Sequence, residues 1–338
     1  MYKRLNSWKR KYLPKRILAI RLHAMGDVII TLPYLLHLRS TLPEGTRIDF
    51  VTITESKTIP KNIDLFDNVY AIRGGRNFKR QFIYTCILMP RLWFNRYHVV
   101  IDLQDAIISR FIRKCIMPKA WSTFDKVSRI PAGERSRLTI EAVGLGGNFA
   151  KSNFKIKNDF EAGELLMKNG WDGTSSLVIL NPAGAFKTRN WPLSNYIAFA
   201  ELWLQKFPQT QFLVMGIDLI VPKATYFKNK LAKYLIDIVN QTTPAQAFVV
   251  VQKAKLVLSE DSGLMHMAWV SGVPTLALFG STKSFWATPL GNHTMLLSSS
   301  DLACGNCMLE ACKYGDTHCL TRYSPTMVFE RAVSLIHQ

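Results

Sequence analysis

Glu260-Asp261-Ser262-Gly263-Leu264-Met265-His266-Met267-Ala268 stands between two apolar runs, Lys255-Leu256-Val257-Leu258 before it and Pro274-Thr275-Leu276-Ala277-Leu278-Phe279-Gly280 after it, with a break at Gly272. That order predicts strand, tight turn, helix and strand, the repeating unit of a parallel sheet. Gly263 at the helix start permits close approach to the backbone, where free N–H groups and the helix dipole favour a phosphate. Asp261 and Ser262 supply oxygens for sugar hydroxyls beside it, and His266 follows three residues on, facing the same mouth. The chemistry suggested is capture of a sugar joined to a phosphate.

The same alternation extends outward in both directions. Residues 16–22, 47–53, 68–72 and 97–103 read as strands, with helical stretches from Gly26 to about residue 42, across 78–93 and through about residue 117. Phe78, Phe82, Met89 and Trp93 recur at helical spacing, and Pro90 should kink or end that helix. After a polar stretch at 150–158 the pattern restarts. A strand over 177–180, a helix over 194–207 with Ser194 as N-cap, a strand over 211–215, a helical segment to about 235 and a strand near 294–297 follow, and 325–338 reads as a final helix. The expectation is an α/β protein of two doubly wound domains, with ligand sites at the C-terminal ends of the strands.

With 338 residues, 48% of them hydrophobic, the chain suits two domains with full cores. No apolar run approaches the roughly 18 residues needed to span a bilayer. The N-terminus is basic, but Pro14, Lys15 and Arg16 interrupt any apolar stretch of the kind a signal peptide needs, so none is expected. Six cysteines in a chain this long do not make a secreted disulfide scaffold, so a cytosolic setting is expected. The net charge of +19 is uneven: residues 1–150 carry 26 Lys and Arg against 11 Asp and Glu. Such asymmetry points to an anionic partner for the first half: nucleic acid, an anionic membrane face or a phosphorylated acceptor. The plain alternative is a solubilising surface.

Two further motifs sit where α/β folds place ligands. Arg21-Leu22-His23-Ala24-Met25-Gly26-Asp27-Val28 follows the first strand and opens a helix. It is neither a dinucleotide fingerprint nor a Walker loop, because the spacing of each is missing. Asp27 falls in the first helical turn, where it serves either the helix dipole or, as a general base, a cleft between the domains. Asn181-Pro182-Ala183-Gly184-Ala185-Phe186-Lys187-Thr188-Arg189-Asn190-Trp191-Pro192 joins a strand to a helix through a glycine loop, and Lys187 and Arg189 can neutralise a leaving pyrophosphate there. Cys304, Cys307, Cys312 and Cys319 have the spacing C-x₂-C-x₄-C-x₆-C, which is either a structural zinc site or four reduced cysteines in a tight loop. Cys86 and Cys115 read as apolar filler.

Taken together, these motifs resemble the glycosyltransferase family 9 heptosyltransferases of lipopolysaccharide core synthesis. The resemblance covers nearly the whole length. It is carried by Arg21…Met25-Gly26-Asp27-Val28…Leu32-Pro33, Val100-Ile101-Asp102-Leu103-Gln104, Pro182-Ala183-Gly184…Arg189-Asn190-Trp191-Pro192, Asp261-Ser262-Gly263-Leu264-Met265-His266-Met267-Ala268, Gly272-Val273-Pro274…Leu278-Phe279-Gly280 and Cys319-Leu320-Thr321-Arg322-Tyr323-Ser324-Pro325. It implies a GT-B fold: two Rossmann-like domains separated by a cleft, with the terminal helix crossing back to the first. It implies a metal-independent, inverting transfer of heptose from ADP-heptose to a lipopolysaccharide inner-core acceptor, with Asp27 as catalytic base. Arg189 falls where the family usually has a lysine beside the donor phosphates. Asp261 would hold sugar hydroxyls, and Gly263 and His266 would meet the pyrophosphate. Two positions depart from the pattern: the turn before the penultimate helix reads Asn240-Gln241-Thr242-Thr243, and the acidic residue near the nucleotide ribose has Asp218 as its nearest candidate.

The expected layout is a basic tail over 1–15, an acceptor-binding domain over 16–155, a donor-binding domain over 156–322 and a helix over 323–338 returning to the first domain. Expected donor residues are Gly184, Lys187, Arg189, Asp218, Thr242, Asp261, Ser262, Gly263 and His266. Expected acceptor residues are Gly26, Arg73 and Arg76. No catalytic cofactor is expected, and zinc on the four clustered cysteines would be structural. The partners implied are a nucleotide sugar, a lipid-linked acceptor and the anionic cytoplasmic face of the inner membrane, where the protein would be peripheral. The alternatives are a family 9 transferase using another nucleotide sugar, a sugar-binding protein without turnover, and a nucleic-acid-binding protein. Six basic residues and several aromatics between 73 and 97 suggest the last, but no nucleic-acid module supports it.

Overall fold

The computed structural model describes residues 5–145, 156–157 and 161–337. The chain divides into two compact units, Met1–Lys157 and Asn158–Gln338. The expected boundary at 155/156 and most of the polar stretch at 150–158 fall outside the described residues.

The first unit is built on strands β1 (Leu5–Asn6), β2 (Arg16–Ile20), β3 (Arg47–Ile53), β4 (Asn68–Ile72), β5 (Val99–Asp102) and β6 (Ala120–Thr123), in the order β1-β6-β5-β2-β3-β4. All pairings are parallel except β1 with β6. The strands are apolar on both faces because helices cover both. Leu18, Ile20, Val51, Val100 and Ile112 lie in one core of this unit. The expected basic tail is not a free one from residue 5 onward: Leu5 and Asn6 pair with Ser122 and Trp121, Trp8 N–H donates to the Val143 carbonyl at 2.8 Å, and the Trp8 ring packs edge-on to Tyr12.

The second unit carries β7 (Ser176–Asn181), β8 (Thr210–Val214), β9 (Leu235–Asp237), β10 (Leu256–Glu260), β11 (Thr275–Phe279) and β12 (Thr294–Ser298), all parallel, in the order β12-β11-β10-β7-β8-β9. The order in which successive strands are added reverses between β7 and β10, which leaves a crevice at their carboxyl ends. In the first unit the same switch lies between β2 and β5. Trp191, Tyr196, Phe199, Trp203 and Phe227 dominate the second core.

One cap expected from the sequence is corrected. The helix after β7 spans Leu193–Lys206 and its N-cap is Pro192, not Ser194, since Pro supplies a fixed φ and needs no N–H there. The helix Phe78–Phe94 runs through Pro90. The carbonyl that loses its partner is that of exposed Cys86, on the side where water can replace the bond. The terminal helix Pro325–Ile336, expected to return to the first domain, buries Val328, Ala332 and Leu335 in the core of the second unit.

Candidate active site

The crevice of the second sheet gathers most of the expected donor residues. β10 ends at Glu260, and Asp261 and Ser262 turn the chain into the helix Gly263–Val270. Ser262 caps that helix, its hydroxyl accepting from the Met265 N–H at 3.2 Å and from Asn181 Nδ2 at 2.7 Å. The oxygen expected to meet a sugar is thus engaged in holding the turn. A Cβ at Gly263 would meet nothing within 4 Å. Crowding by the protein is therefore not what a glycine answers there; the mouth of the helix is open.

Asp261 faces a cation. Its Oδ2 lies 3.1 Å from Arg189 Nη1 and accepts from the Thr282 hydroxyl at 2.9 Å, and both charged side chains are largely buried. The Arg189 guanidinium also lies over the Phe186 ring, 4.9 Å from its centroid. Burial makes this pair more than a surface contact: Asp261 accepts from Thr282 as well, and Arg189 is covered by the Phe186 ring. Lys187 starts the short 3₁₀ turn Lys187–Arg189 and is exposed beside it. Gly184 is required by close packing: a Cβ there would sit 2.4 Å from the Arg189 carbonyl oxygen.

His266 is buried on the helix, and its Nδ1 accepts from Trp269 Nε1 at 3.0 Å, which places the proton of the neutral ring on Nε2. Asp218 and Thr242 lie farther along the sheet, in the loops after β8 and β9. Asp218 accepts from Asn240 Nδ2 at 2.8 Å, and Thr243, beside Thr242, caps the helix Pro244–Val251.

The sequence reading missed the group that ties these loops together. Glu260 is fully buried and accepts from the N–H of Gly184 and of Trp191, each at 2.7 Å, and from the Tyr196 hydroxyl at 3.3 Å. Burial pushes its carboxyl up to about 7, against the pull of Lys223 and of the donated hydrogen bonds. Lys223 Nζ donates to the Pro182 carbonyl and to Asn190 Oδ1, and burial lowers its own affinity for the proton. A carboxylate ending an otherwise apolar strand is a visible sign for Glu260. Lys223, on a helix of mixed polarity, carries no such sign.

In the first unit Asp27 sits in the first turn of the helix Met25–Thr41, at the crevice of that sheet. Its Oδ2 accepts from the Ala24 N–H at 3.1 Å and lies 2.8 Å from Arg21 Nη2, and the side chain is 38% exposed. Arg21 is buried over the Phe124 ring at 4.9 Å, a ring shared with Arg135 at the same distance, and it donates to the Leu103 carbonyl. Gln104 Oε1 holds the turn by accepting from the N–H groups of Leu22 and His23. Burial, and then Arg21, lower the affinity of His23 for a proton. Gly26 is next to Asp27 in the helix. Arg73 and Arg76 are exposed after β4, two strands away on the same rim of the sheet.

Cys304, Cys307, Cys312 and Cys319 are free thiols lining one cavity with Lys313 and His318. Among the described residues no three His, Cys, Asp or Glu side chains come together so as to hold a metal ion. A closed zinc site needs four ligands about 2.0–2.3 Å from one point; of the two readings of the cluster, the structure gives the zinc one no support, and the four thiols line a cavity.

The comparisons with known proteins agree with this geometry. The description "Glycosyltransferase family 9 (heptosyltransferase)" matches residues 133–318, which contain every candidate donor residue and leave Asp27, Gly26, Arg73 and Arg76 outside. Lipooligosaccharide heptosyltransferase 2 of Campylobacter jejuni is 29% identical over 192 residues, 55% of this chain and 57% of that relative. The chain thus spans little more than half the length of that relative. The crystal structure of a family 9 glycosyl transferase from Veillonella parvula superposes with a TM-score of 0.80 at 19% identity, covering 96% of this chain and 97% of that one. ADP-heptose lps heptosyltransferase II of E. coli does so with a TM-score of 0.74 at 15% identity, covering 96% and 99%. The two Rossmann-like units are those of a GT-B fold, and the match over more than half its length places the chain in glycosyltransferase family 9.

Proposed function

We propose that the protein is an inverting glycosyltransferase that moves a heptose from ADP-heptose to a lipid-linked acceptor of the lipopolysaccharide inner core. The observation that carries this reading is the buried Arg189–Asp261 pair beside the open mouth of the helix Gly263–Val270. The family description, which names a heptosyltransferase, and the ADP-heptose named for the E. coli structure support ADP-heptose as the donor. The pyrophosphate would lie on the helix N-terminus with Arg189 and Lys187 taking its charge, and Asp261 would accept from sugar hydroxyls. An acceptor hydroxyl attacks the anomeric carbon, its O–C bond forms as the bond to the pyrophosphate oxygen breaks, and ADP leaves with the electron pair. Asp27 would take the hydroxyl proton, oriented by Arg21 and the Ala24 N–H. The neighbouring carboxylates suit that role less: Asp102 is fully buried and accepts from the N–H groups of Gln104 and Asp105, while Asp105 pairs with Arg110 through both oxygens. Arg73 and Arg76 would meet anionic groups of the acceptor, and the protein would work at the cytoplasmic face of the inner membrane.

A second donor is the reading favoured by one observation: Asp218, the candidate for the ribose, is already bonded to Asn240 in the divergent turn. Mass measurement of the product made on a lipid-oligosaccharide acceptor, with ADP-heptose and other nucleotide sugars offered in parallel, separates the two. With the productive donor, Asp27→Asn should lower kcat by about 10²–10⁴-fold and leave donor affinity near wild type, because proton removal belongs to the transition state. Near-wild-type turnover by that variant would move the base elsewhere.

A further inference from the structure

The helix Phe78–Phe94 is amphipathic on the wrong side. Its inner face buries Gln81, Thr85, Met89 and Leu92 against the sheet and the helix Ile107–Ile116, with Phe82 packed on Phe111 at 5.0 Å and Trp93 Nε1 donating to the Cys115 carbonyl. Directly opposite that face, at steps of four, three and four residues, stand Ile83, Ile87, Pro90 and Phe94. Their side chains are not tucked back onto the protein: Ile83 is 58% exposed, Ile87 67% and Phe94 85%. The four positions form one stripe of about 16 Å along the helix crest. Solvent-facing helix crests are ordinarily polar, and a continuous apolar stripe there marks a surface that meets something apolar.

The flanks say what that is. Lys79, Arg80 and Arg91 are exposed beside the stripe, Arg73 and Arg76 precede it and Arg96 follows it, while no Asp or Glu occurs from residue 73 to residue 97. A protein partner would meet this surface with carboxylates and a shaped apolar plug. A bilayer with anionic headgroups meets it with a uniform negative plane above an apolar layer, which matches a uniform cationic rim around an unshaped apolar ridge. No helix among the described residues is long and apolar enough to cross a membrane, so such a helix lies in the interface plane.

We infer that the helix Phe78–Phe94 docks on an anionic lipid surface by inserting the Ile83–Ile87–Pro90–Phe94 ridge below the headgroups, with Arg80 and Arg91 held at headgroup level. This deepens the membrane partner proposed above and rests on that reading for its purpose, not for its test.

The test uses the full chain and vesicles that contain no acceptor: phosphatidylcholine alone, and phosphatidylcholine mixed with phosphatidylglycerol. Wild type should sediment with the mixed vesicles at low salt, leave phosphatidylcholine vesicles in the supernatant, and be released as salt rises. Ile87→Ser with Phe94→Ser should weaken binding to mixed vesicles by about tenfold or more, since each removes an apolar side chain from the inserted ridge. Arg80→Gln with Arg91→Gln should weaken binding at low salt and flatten its salt dependence. Because these residues are exposed, all variants should melt with wild type, which the same samples can verify. Equal sedimentation with both vesicle types, or wild-type binding by the serine variant, overturns the inference. So does self-association that the serine variant abolishes without any vesicle binding, since the ridge would then cover a second copy. Turnover on a delipidated acceptor is measured alongside: turnover without vesicle binding overturns only the docking inference, and vesicle binding without turnover on any nucleotide sugar overturns only the proposed function.

Discussion

The Glu260 carboxylate accepts from two backbone N–H groups and a phenol, with Lys223 as a compensating cation. Those contacts join the end of β10 to the loop that carries Arg189, so the position of that cation depends on Glu260. Its proton affinity makes the dependence measurable. The folded carboxyl is raised to about 7 from an ordinary 4.5. The folded state therefore holds a proton that the unfolded state releases between those two values, and stability falls as pH rises through that window. The contribution is fully present below about 4.5, is lost above about 7, and is on the order of 3 kcal/mol. Glu260→Gln should remove this pH-dependent part, so the difference in unfolding free energy between wild type and variant should change across pH 4.5–7 and be flat above it. A difference independent of pH over that range would mean that Glu260 is ionised throughout. At this scale the sequence was legible in where Asp27, Arg189 and Asp261 lie, at the turns that follow strands of the two sheets. It was silent on Lys223, because the partners of that side chain, Pro182 and Asn190, come from more than thirty residues away.

Among the elements, the two glycine turns at the crevice of the second sheet do different work. Gly184 lets the chain double back on itself: the space a Cβ would take is filled by the Arg189 carbonyl at 2.4 Å and by Asn190 Nδ2 at 2.7 Å. Gly263 opens a helix into empty space. Gly184→Ala should therefore displace the Arg189 backbone, lowering the melting temperature and weakening donor binding together. Gly263→Ala should melt with wild type or slightly above it, since Ala is the better helix former, and any loss should be confined to donor binding. Calorimetric melts and donor titrations of the two variants read this directly; equal melting losses would show that both turns are packed turns. Longer apolar strands such as β3, β4, β10 and β11 were readable from composition alone. β1, β6 and β9 were not, being two to four residues long and defined by their neighbours in the sheet rather than by a local pattern. The cysteine spacing left two readings open for a related reason: ligand spacing along a chain does not fix where a loop aims its thiols.

Across the whole molecule, charge is divided more sharply than the halves of the sequence suggested. Residues 1–157 hold 29 Lys and Arg against 11 Asp and Glu, and residues 158–338 hold 14 against 13, so nearly the entire net charge belongs to the first compact unit. On the proposed reading the second unit, near neutrality, would bind its anion through a few placed groups, a helix N-terminus and the largely buried Arg189, with exposed Lys187 beside them. Fixed, partly buried donors of that kind are weakly screened, whereas the field of many exposed cations collapses within a Debye length of about 8 Å at physiological salt. On the proposed reading the two substrates should then respond differently to ionic strength. The KM for a lipid-linked, anionic acceptor should rise steeply with salt, while the dissociation constant for ADP should rise only slightly over the same range, although ADP too is an anion. Initial rates and ADP titrations at several salt concentrations, with one inert anion throughout, give both slopes. If the two slopes are equal, the charge on the first unit serves solubility rather than capture of an anionic acceptor, and the assignment of Arg73 and Arg76 to that acceptor fails with it.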